Sequence, residues 1–257
     1  MNDPANRLRD VLGGYGRLAV AVSGGVDSLT LAFCAARWVP DILAIHAVSP
    51  AVPAEATERV RRYAETNGCP LKVVSSGEFK DPNYRANPHN RCYFCKSNLY
   101  TTMTELFDGP VASGTNTDDL GDYRPGLVAA QENAVVHPFV EAGIGKDDLR
   151  AIARLFDLQD IAELPAQPCL SSRVETGIRI TGDDLRFIHQ VETALRPFVP
   201  LANLRCRITA QGVRIESDLD LPPEARTLAE DLCSAGNRTL AGLAGYARGS
   251  AFLVPDA

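Results

Sequence analysis

The chain has 257 residues, 45% of them hydrophobic, and carries 26 basic against 32 acidic side chains for a net charge of -6. That is enough chain for one large or two modest domains with a real core, and the acidic balance gives no support to a broad electrostatic grip on nucleic acid, although a local basic patch stays open. No segment reaches the length needed to cross a bilayer and the opening MNDPANRLRD lacks the apolar centre of a signal peptide, so a soluble cytoplasmic protein without membrane partners is expected.

Leu18 to Val22 is a continuous apolar run of the kind expected for a strand buried on both faces, and Leu29, Ala32, Phe33 and Ala36 follow at helical spacing. Between them lies Ser23-Gly24-Gly25-Val26-Asp27-Ser28. Its two glycines let backbone approach a ligand, its hydroxyls flank them, and the N–H groups of the helix start favour an anion; an ordinary capped turn is the alternative. Pro40 ends the helix and Ile42 to Val48 predicts a second buried strand. In an open α/β sheet the end of that strand, His46 to Val48, faces a bound nucleotide, with His46 itself read as a hydrogen-bonded sheet residue. Pro53 opens a helix with Ala56, Val60 and Tyr63 or Ala64 inward, Asn67-Gly68 stops it, and Leu71 to Ser76 predicts a third strand.

The next stretch departs from this alternation. Pro82 and Pro88 mark an irregular lead-in, and a helix is predicted to begin near Cys92 to Cys95. Val111 to Ser113 returns to strand and ends in Gly114-Thr115-Asn116-Thr117-Asp118-Asp119, a set that suits a phosphate and its cation, or equally a helix cap. Residues 134–143, AVVHPFVEAG, predict another strand, and the following helix turns Leu149, Ile152, Ala153 and Phe156 inward. A domain boundary falls at residue 163, before the proline-rich loop that holds Cys169 four residues ahead of Arg173, where a guanidinium would favour the thiolate. Thr181 and Asp184 have capping spacing, and Leu185, Ile188, Val191 and Leu195 form a buried stripe. A hairpin around Gln211-Gly212 sets Leu204, Cys206 and Ile208 on one face and Arg205, Arg207 and Thr209 on the other. The paired arginines can grip a phosphate or carboxylate, or form a solvated face paired with Glu216 and Asp218. Leu228, Ala229 and Leu232 mark a further helix, and the tail predicts turns and a final strand.

The fold class expected is α/β, a doubly wound parallel sheet in residues 1–163 with a smaller α+β domain in 164–257. Seven cysteines, an odd number, argue for thiols used as ligands or chemistry over a disulfide framework. Cys34, Cys69, Cys206 and Cys233 lie in element patterns and read as structural, which singles out Cys92, Cys95 and Cys169.

SGGVDS, placed after a strand and before a helix, resembles the PP-loop of the ATP pyrophosphatase superfamily without a gap. The resemblance implies that the loop holds the pyrophosphate end of ATP, that AMP passes to a substrate oxygen and that pyrophosphate leaves. It assigns Ala21, Ser23, Gly24, Gly25, Asp27, Ser28, Val48, Gly114, Thr115 and Asp118 to ATP with its Mg2+. Four further motifs, Asn87-Pro88 with Arg91 to Lys96, GTNTDDLGDYRPG from Gly114 to Gly126, PCLSSR from Pro168 to Arg173, and GYARGS from Gly245 to Ser250, together resemble the LarE family across nearly the whole chain. Its members are ATP-dependent sulfur transferases of nickel-pincer nucleotide cofactor biosynthesis.

That resemblance implies adenylation of a carboxylate of pyridinium-3,5-biscarboxylic acid mononucleotide and its conversion to a thiocarboxylate, with Cys169, Asp27 and Arg173 catalytic. In members that rely on one cysteine the matching residue is Cys169, which gives up its sulfur and is left as dehydroalanine. Cys92, Cys95 and Cys169 together match three thiolate ligands of a 4Fe-4S cluster, the reading preferred here; a zinc site completed by His89, or unrelated thiols, stay open. Arg205 and Arg248 fall at positions implied for the substrate phosphate, the sulfur donor is unspecified, and homo-oligomers, commonly hexamers, are implied. Competing readings are a PP-loop tRNA thiolase, disfavoured by the acidic balance and the missing second CxxC, a non-enzymatic ATP-binding module, and an amidotransferase-type ligase, for which no glutaminase domain is attached.

Overall fold

The computed structural model describes residues 3–121, 125–165 and 167–252. The chain divides into two compact units, residues 1–78 with 92–167, and residues 79–91 with 168–257. The excursion of residues 79–91 into the second unit has no counterpart in the sequence-based division at residue 163.

In the first unit β1 (Arg17–Ala21), β2 (Asp41–Ala47), β3 (Leu71–Val74) and β4 (Val111–Ala112) form a parallel sheet in the order β3-β2-β1-β4. The continuous apolar run of β1 is explained by cover on both faces. Leu18 and Val20 pack with Leu8, Leu29, Phe33 and Leu149 from the helices Pro4–Leu12, Val26–Trp38 and Lys146–Leu155. Ala19 and Ala21 point the other way, into a cluster with Ile45, Tyr100, Met103 and Ala129. A fully buried leucine such as Leu18 stabilises the fold by about 1.5–3 kcal/mol. Strand order reverses between β2 and β4 on either side of β1, so the crevice beyond the carboxyl ends of β1 and β4 is the switch point at which such sheets take ligands.

The strand predicted over residues 134–143 does not form. Only Val136 bridges to Ala112, and Pro138 opens a short helix, Pro138–Glu141. Proline has no N–H for a ladder and its fixed φ suits the first helical position, so the apolar run turns after one bridge. β3 likewise stops at Val74, two residues early, and Ser76 is turned to Glu78, its hydroxyl donating to the carboxylate at 2.5 Å.

The second unit is built on β5 (Leu204–Thr209), β6 (Gly212–Ser217) and β7 (Leu240–Gly245), with β5 and β6 antiparallel and β6 and β7 parallel. The helix Gly182–Leu195 packs on β5 with Leu185, Ile188, Val191 and Leu195 buried, and it is capped as its spacing predicted, Thr181 Oγ1 accepting from the Asp184 N–H at 3.1 Å. Asn87 explains why residues 79–91 belong here. Its buried amide donates to the Val174, Glu175 and Ile178 carbonyls at 3.3, 2.8 and 3.0 Å, while its own carbonyl accepts from Gly177 N–H at 2.9 Å. Among the described residues no helix is long and apolar enough to cross a membrane.

Candidate functional site

The glycine loop after β1 sits at the switch point. Gly24 has φ +87, and a Cβ there would lie 3.1 Å from the Ala56 carbonyl oxygen and 3.3 Å from Val60, so the loop lies against the Ala54–Thr66 helix only as glycine. Gly25 begins the Val26–Trp38 helix with no side-chain cap, which leaves its first N–H groups for an anion. Ser28 Oγ accepts from the Ser23 N–H at 3.1 Å, lies 3.2 Å from Ser23 Oγ and donates to the Gly25 carbonyl at 3.2 Å, holding the turn in one shape.

The loop after β4 meets it backbone to backbone. A Cβ on Gly114 would come within 2.9 Å of the Ser28 nitrogen and 3.0 Å of the Asp27 carbonyl carbon. Ser113 Oγ lies 2.9 Å from both Thr115 Oγ1 and His137 Nδ1, and Asp118 accepts from the Lys146 N–H at 2.7 Å. The Lys146 ammonium in turn pairs with Asp27. Ala21, Ser23, Gly24, Gly25, Asp27, Ser28, Gly114, Thr115 and Asp118 are thus carried by two adjoining strand-end loops. Val48 stands beyond the end of β2 with its N–H donated to Val74 at 2.8 Å, so a base placed there would meet its carbonyl or side chain.

His46 is a structural histidine, as its place in the strand suggested. Nδ1 lies 2.8 Å from the Val22 carbonyl, which can only accept, so Nδ1 carries the proton and Nε2 accepts from Thr57 Oγ1 at 2.9 Å. Burial holds its pKa below the ordinary histidine value, against the opposing pull of the Val22 carbonyl. His137 is shifted down in the same direction by burial, with Glu141 opposing.

In the second unit the two faces of β5 are both buried, which overturns the solvated-face alternative for its arginines. Arg207 Nε donates to Glu216 at 3.0 Å and its Nη atoms donate to the Ser172 and Ala247 carbonyls at 3.0 and 3.3 Å. Asp218, the other partner considered, takes Asn203 instead. Glu216 also accepts from Arg214 and Ser250, so it ties β6 to the GYARGS turn. Arg205 differs from Arg207: it donates to the Leu204 carbonyl at 2.8 Å, stands 5.5 Å over the Tyr246 ring, and has no carboxylate partner among the described residues. Burial, then the neighbouring Arg173 charge, lowers its pKa. Arg248 is exposed on the turn that follows β7.

Arg173 is committed to the protein. It makes a bidentate pair with Glu192 at 3.0 and 3.0 Å and donates to the Pro168 and Cys169 carbonyls at 2.6 and 3.1 Å and to Ser172 Oγ at 3.0 Å. These bonds tie the Cys169 turn to the Gly182–Leu195 helix, and the Cys169 side chain is exposed. Cys92 and Cys95 lie at the start of the Arg91–Leu106 helix, where residues three apart share a face, the first exposed and the second half-buried. The other four thiols are buried, Cys34 and Cys69 being pushed up to about 12 and about 11 and Cys206 and Cys233 raised as well, so none of them supplies a thiolate readily. Among the described residues no group of three His, Cys, Asp or Glu side chains is arranged to hold a metal ion. Cys92 and Cys95 belong to the first unit and Cys169 to the second; accessible or partly accessible thiols of this kind are of a chemistry that suits iron or zinc.

Sequence reasoning missed Lys146, Arg59 and Glu192, whereas it did name Glu216 as a partner for the hairpin arginines. Arg59 donates to the Gly24 carbonyl and to Gln167 Oε1, each at 3.0 Å. Glu192 also accepts from the Cys206 N–H at 3.0 Å. Each of these three is one charge on a helix, Arg59 and Lys146 among other charged neighbours, and only tertiary packing reveals its partner.

No family model matches the chain. An uncharacterized protein of Synechocystis sp. is 39% identical over 227 residues, covering 84% of this chain and 81% of the relative. Another uncharacterized protein, from Methanocaldococcus jannaschii, is 30% identical over 208 residues, 79% of each chain. Pyridinium-3,5-bisthiocarboxylic acid mononucleotide synthase of Lactiplantibacillus plantarum is 29% identical over 217 residues, 82% of this chain and 76% of the relative.

Proposed function

Because the chain belongs to one family with these cyanobacterial and archaeal relatives and is LarE-like, we propose that it is an ATP-dependent sulfur transferase that converts a carboxylate of pyridinium-3,5-biscarboxylic acid mononucleotide into a thiocarboxylate. The observation that carries this reading is the meeting of two strand-end loops at Gly114, where SGGVDS, Asp118 and the Asp27–Lys146 pair surround one helix start. Backbone N–H groups and a lysine suit the pyrophosphate of ATP, and Asp27 suits its Mg2+.

A carboxylate is a poor electrophile, and joining it to AMP supplies a leaving group while the loop stabilises the departing pyrophosphate. Arg205, buried and without a carboxylate partner among the described residues, is the cation suited to the substrate phosphate, with exposed Arg248 assisting. Cys169 stands at the sulfur-transfer step, as cluster ligand or as the sulfur source itself, and Arg173 fixes its turn while remaining bound to Glu192. Cys92, Cys95 and Cys169 would hold a 4Fe-4S cluster, which when bound would supply a replaceable sulfide. If Cys169 acted alone, its thiolate would displace AMP and the Cβ–S bond would then break with loss of the Cα proton, leaving dehydroalanine. The test is nucleotide analysis with the purified chain: AMP and pyrophosphate should form only when the carboxylate mononucleotide is present, whereas ADP, or AMP formed equally without acceptor, contradicts the reading.

A further inference from the structure

Ser113, Thr115 and His137 form a chain of side-chain hydrogen bonds beside the glycine loop. Ser113 Oγ lies 2.9 Å from Thr115 Oγ1 on one side and 2.9 Å from His137 Nδ1 on the other. Backbone bonds fix both ends of the chain. The Ser113 N–H donates to the Val136 carbonyl at 3.1 Å, and Glu141 accepts from the His137 N–H at 3.3 Å while its own N–H donates to the His137 carbonyl at 3.0 Å. Tyr15 holds the same carboxylate, its hydroxyl lying 3.2 and 3.1 Å from the two oxygens. Thr115 follows Gly114, whose backbone touches the start of the Val26–Trp38 helix, and its half-buried hydroxyl has no partner besides Ser113 among the described residues.

A serine hydroxyl carries one proton, so the chain has two fully bonded states. With a proton on His137 Nδ1, Ser113 accepts from the ring and donates to Thr115 Oγ1, which leaves the Thr115 proton for a ligand. With Nδ1 bare, Ser113 donates to the ring and Thr115 donates to Ser113, so Thr115 offers a ligand only lone pairs. In the third arrangement both the ring and Thr115 donate to Ser113, and the Ser113 proton is stranded in a residue only 5% exposed. Burial holds the His137 pKa below the ordinary histidine value, Glu141 opposes that shift, and Lys96 on the Arg91–Leu106 helix adds to it. The ring is therefore neutral near pH 7, and the nitrogen that carries its proton decides which state holds.

We propose that His137 is a positioning residue that, with its proton on Nδ1, makes Thr115 a hydrogen-bond donor to a phosphate oxygen of the bound nucleotide. The proposal rests on the reading of the two strand-end loops as an ATP site. A phosphate anion accepts hydrogen bonds and has none to give, so it selects the first state of the chain. His137 acts through Ser113 and Thr115 without touching the nucleotide.

Asparagine and aspartate share a shape but set opposite polarities at this position, since the amide donates to Ser113 and the carboxylate only accepts. The test is equilibrium binding of ATP to the full chain as wild type, His137→Asn and His137→Asp, each also combined with Ser113→Ala. The aspartate charge acts in both backgrounds, whereas polarity passes only through Ser113. His137→Asn should bind ATP within about threefold of wild type and His137→Asp about tenfold or more weakly, and the ratio between them should fall about tenfold when Ser113 is replaced. The same ratio in both backgrounds, or an equal loss in both variants, overturns the role of His137. Nitrogen NMR of isotopically labelled histidine gives a second readout on the wild type, independent of how the aspartate variant folds. In the ATP complex the His137 signal, identified by its loss in His137→Asn, should report a protonated Nδ1, and a bare Nδ1 overturns the proposal. Failure of the wild type to bind ATP overturns the ATP reading of the loops and the role of His137 with it.

Discussion

Removing Arg173 tests its hold on the Cys169 turn. Its side chain is 6% exposed and that of Glu192 11%, so the pair needs little allowance for solvent screening. Deleting one partner of such a buried pair costs about 3–5 kcal/mol, because the other charge stays behind without compensation. Here Glu192 keeps the Cys206 N–H, which favours the lower end, while the Pro168, Cys169 and Ser172 oxygens lose their donor. Arg173→Met should therefore destabilise the second unit by about 3 kcal/mol, lowering its urea midpoint by about 2 M at a slope near 1.5 kcal/mol/M. Trp38, the single tryptophan, lies in the first unit, so its fluorescence follows that unit while far-UV circular dichroism follows both. The dichroism transition should shift and the fluorescence transition should not. Arg205→Met is the contrast: with no carboxylate to strand among the described residues, its loss should cost less than about 1 kcal/mol. A loss below about 1 kcal/mol for Arg173→Met, the scale of an exposed pair, would refute the stapling role.

Three other outcomes follow from the same geometry. Gly114→Ala forces a methyl onto the backbone of Asp27 and Ser28 and should cost about 1–3 kcal/mol together with ATP affinity; retention of both in urea and nucleotide titrations would contradict the close approach. Since burial lowers the pKa of His46 below 6.5, the unfolded chain binds the proton more readily. Stability of the first unit is then complete above about pH 6.5 and falls as the pH drops below it, a slope that His46→Gln should reduce, leaving the share of His137, in urea midpoints between about pH 7.5 and 5.5. Protein purified without oxygen should contain about four iron and four acid-labile sulfide per chain, lost in Cys92→Ala, if the three thiols carry a cluster; neither element after reconstitution would leave Cys169 as the sole sulfur source.

Much of the first unit was legible because its strands are continuous apolar runs. Leu18 to Val22 and Ile42 to Val48 each lie within a residue of a strand, and the hairpin expected around Gln211-Gly212 formed, with Thr209 opposite Gly212 and Ala210-Gln211 as its loop. Residues 134–143 misled because AVV has strand character while Pro138 decides the local outcome. The role of Arg205 and Arg207 could not be read from alternation alone, since period two assigns faces but not what covers them. Cover came from Ser172, Tyr246 and Ala247, distant in sequence. The same limit hid Lys146, whose spacing carries no signal, and concealed that Asn87-Pro88, a motif residue pair, ties residues 79–91 to the 174–178 loop.

Sulfur transfer itself is tested most directly by the mass of the product. Anaerobically purified protein should be incubated with ATP, Mg2+ and pyridinium-3,5-biscarboxylic acid mononucleotide, with Cys169→Ala in parallel. The account predicts exchange of one carboxylate oxygen for sulfur in the wild type, and in the variant an adenylated or unchanged substrate. Thiocarboxylate formed equally by Cys169→Ala, or an adenylate that never acquires sulfur in the wild type, would contradict it.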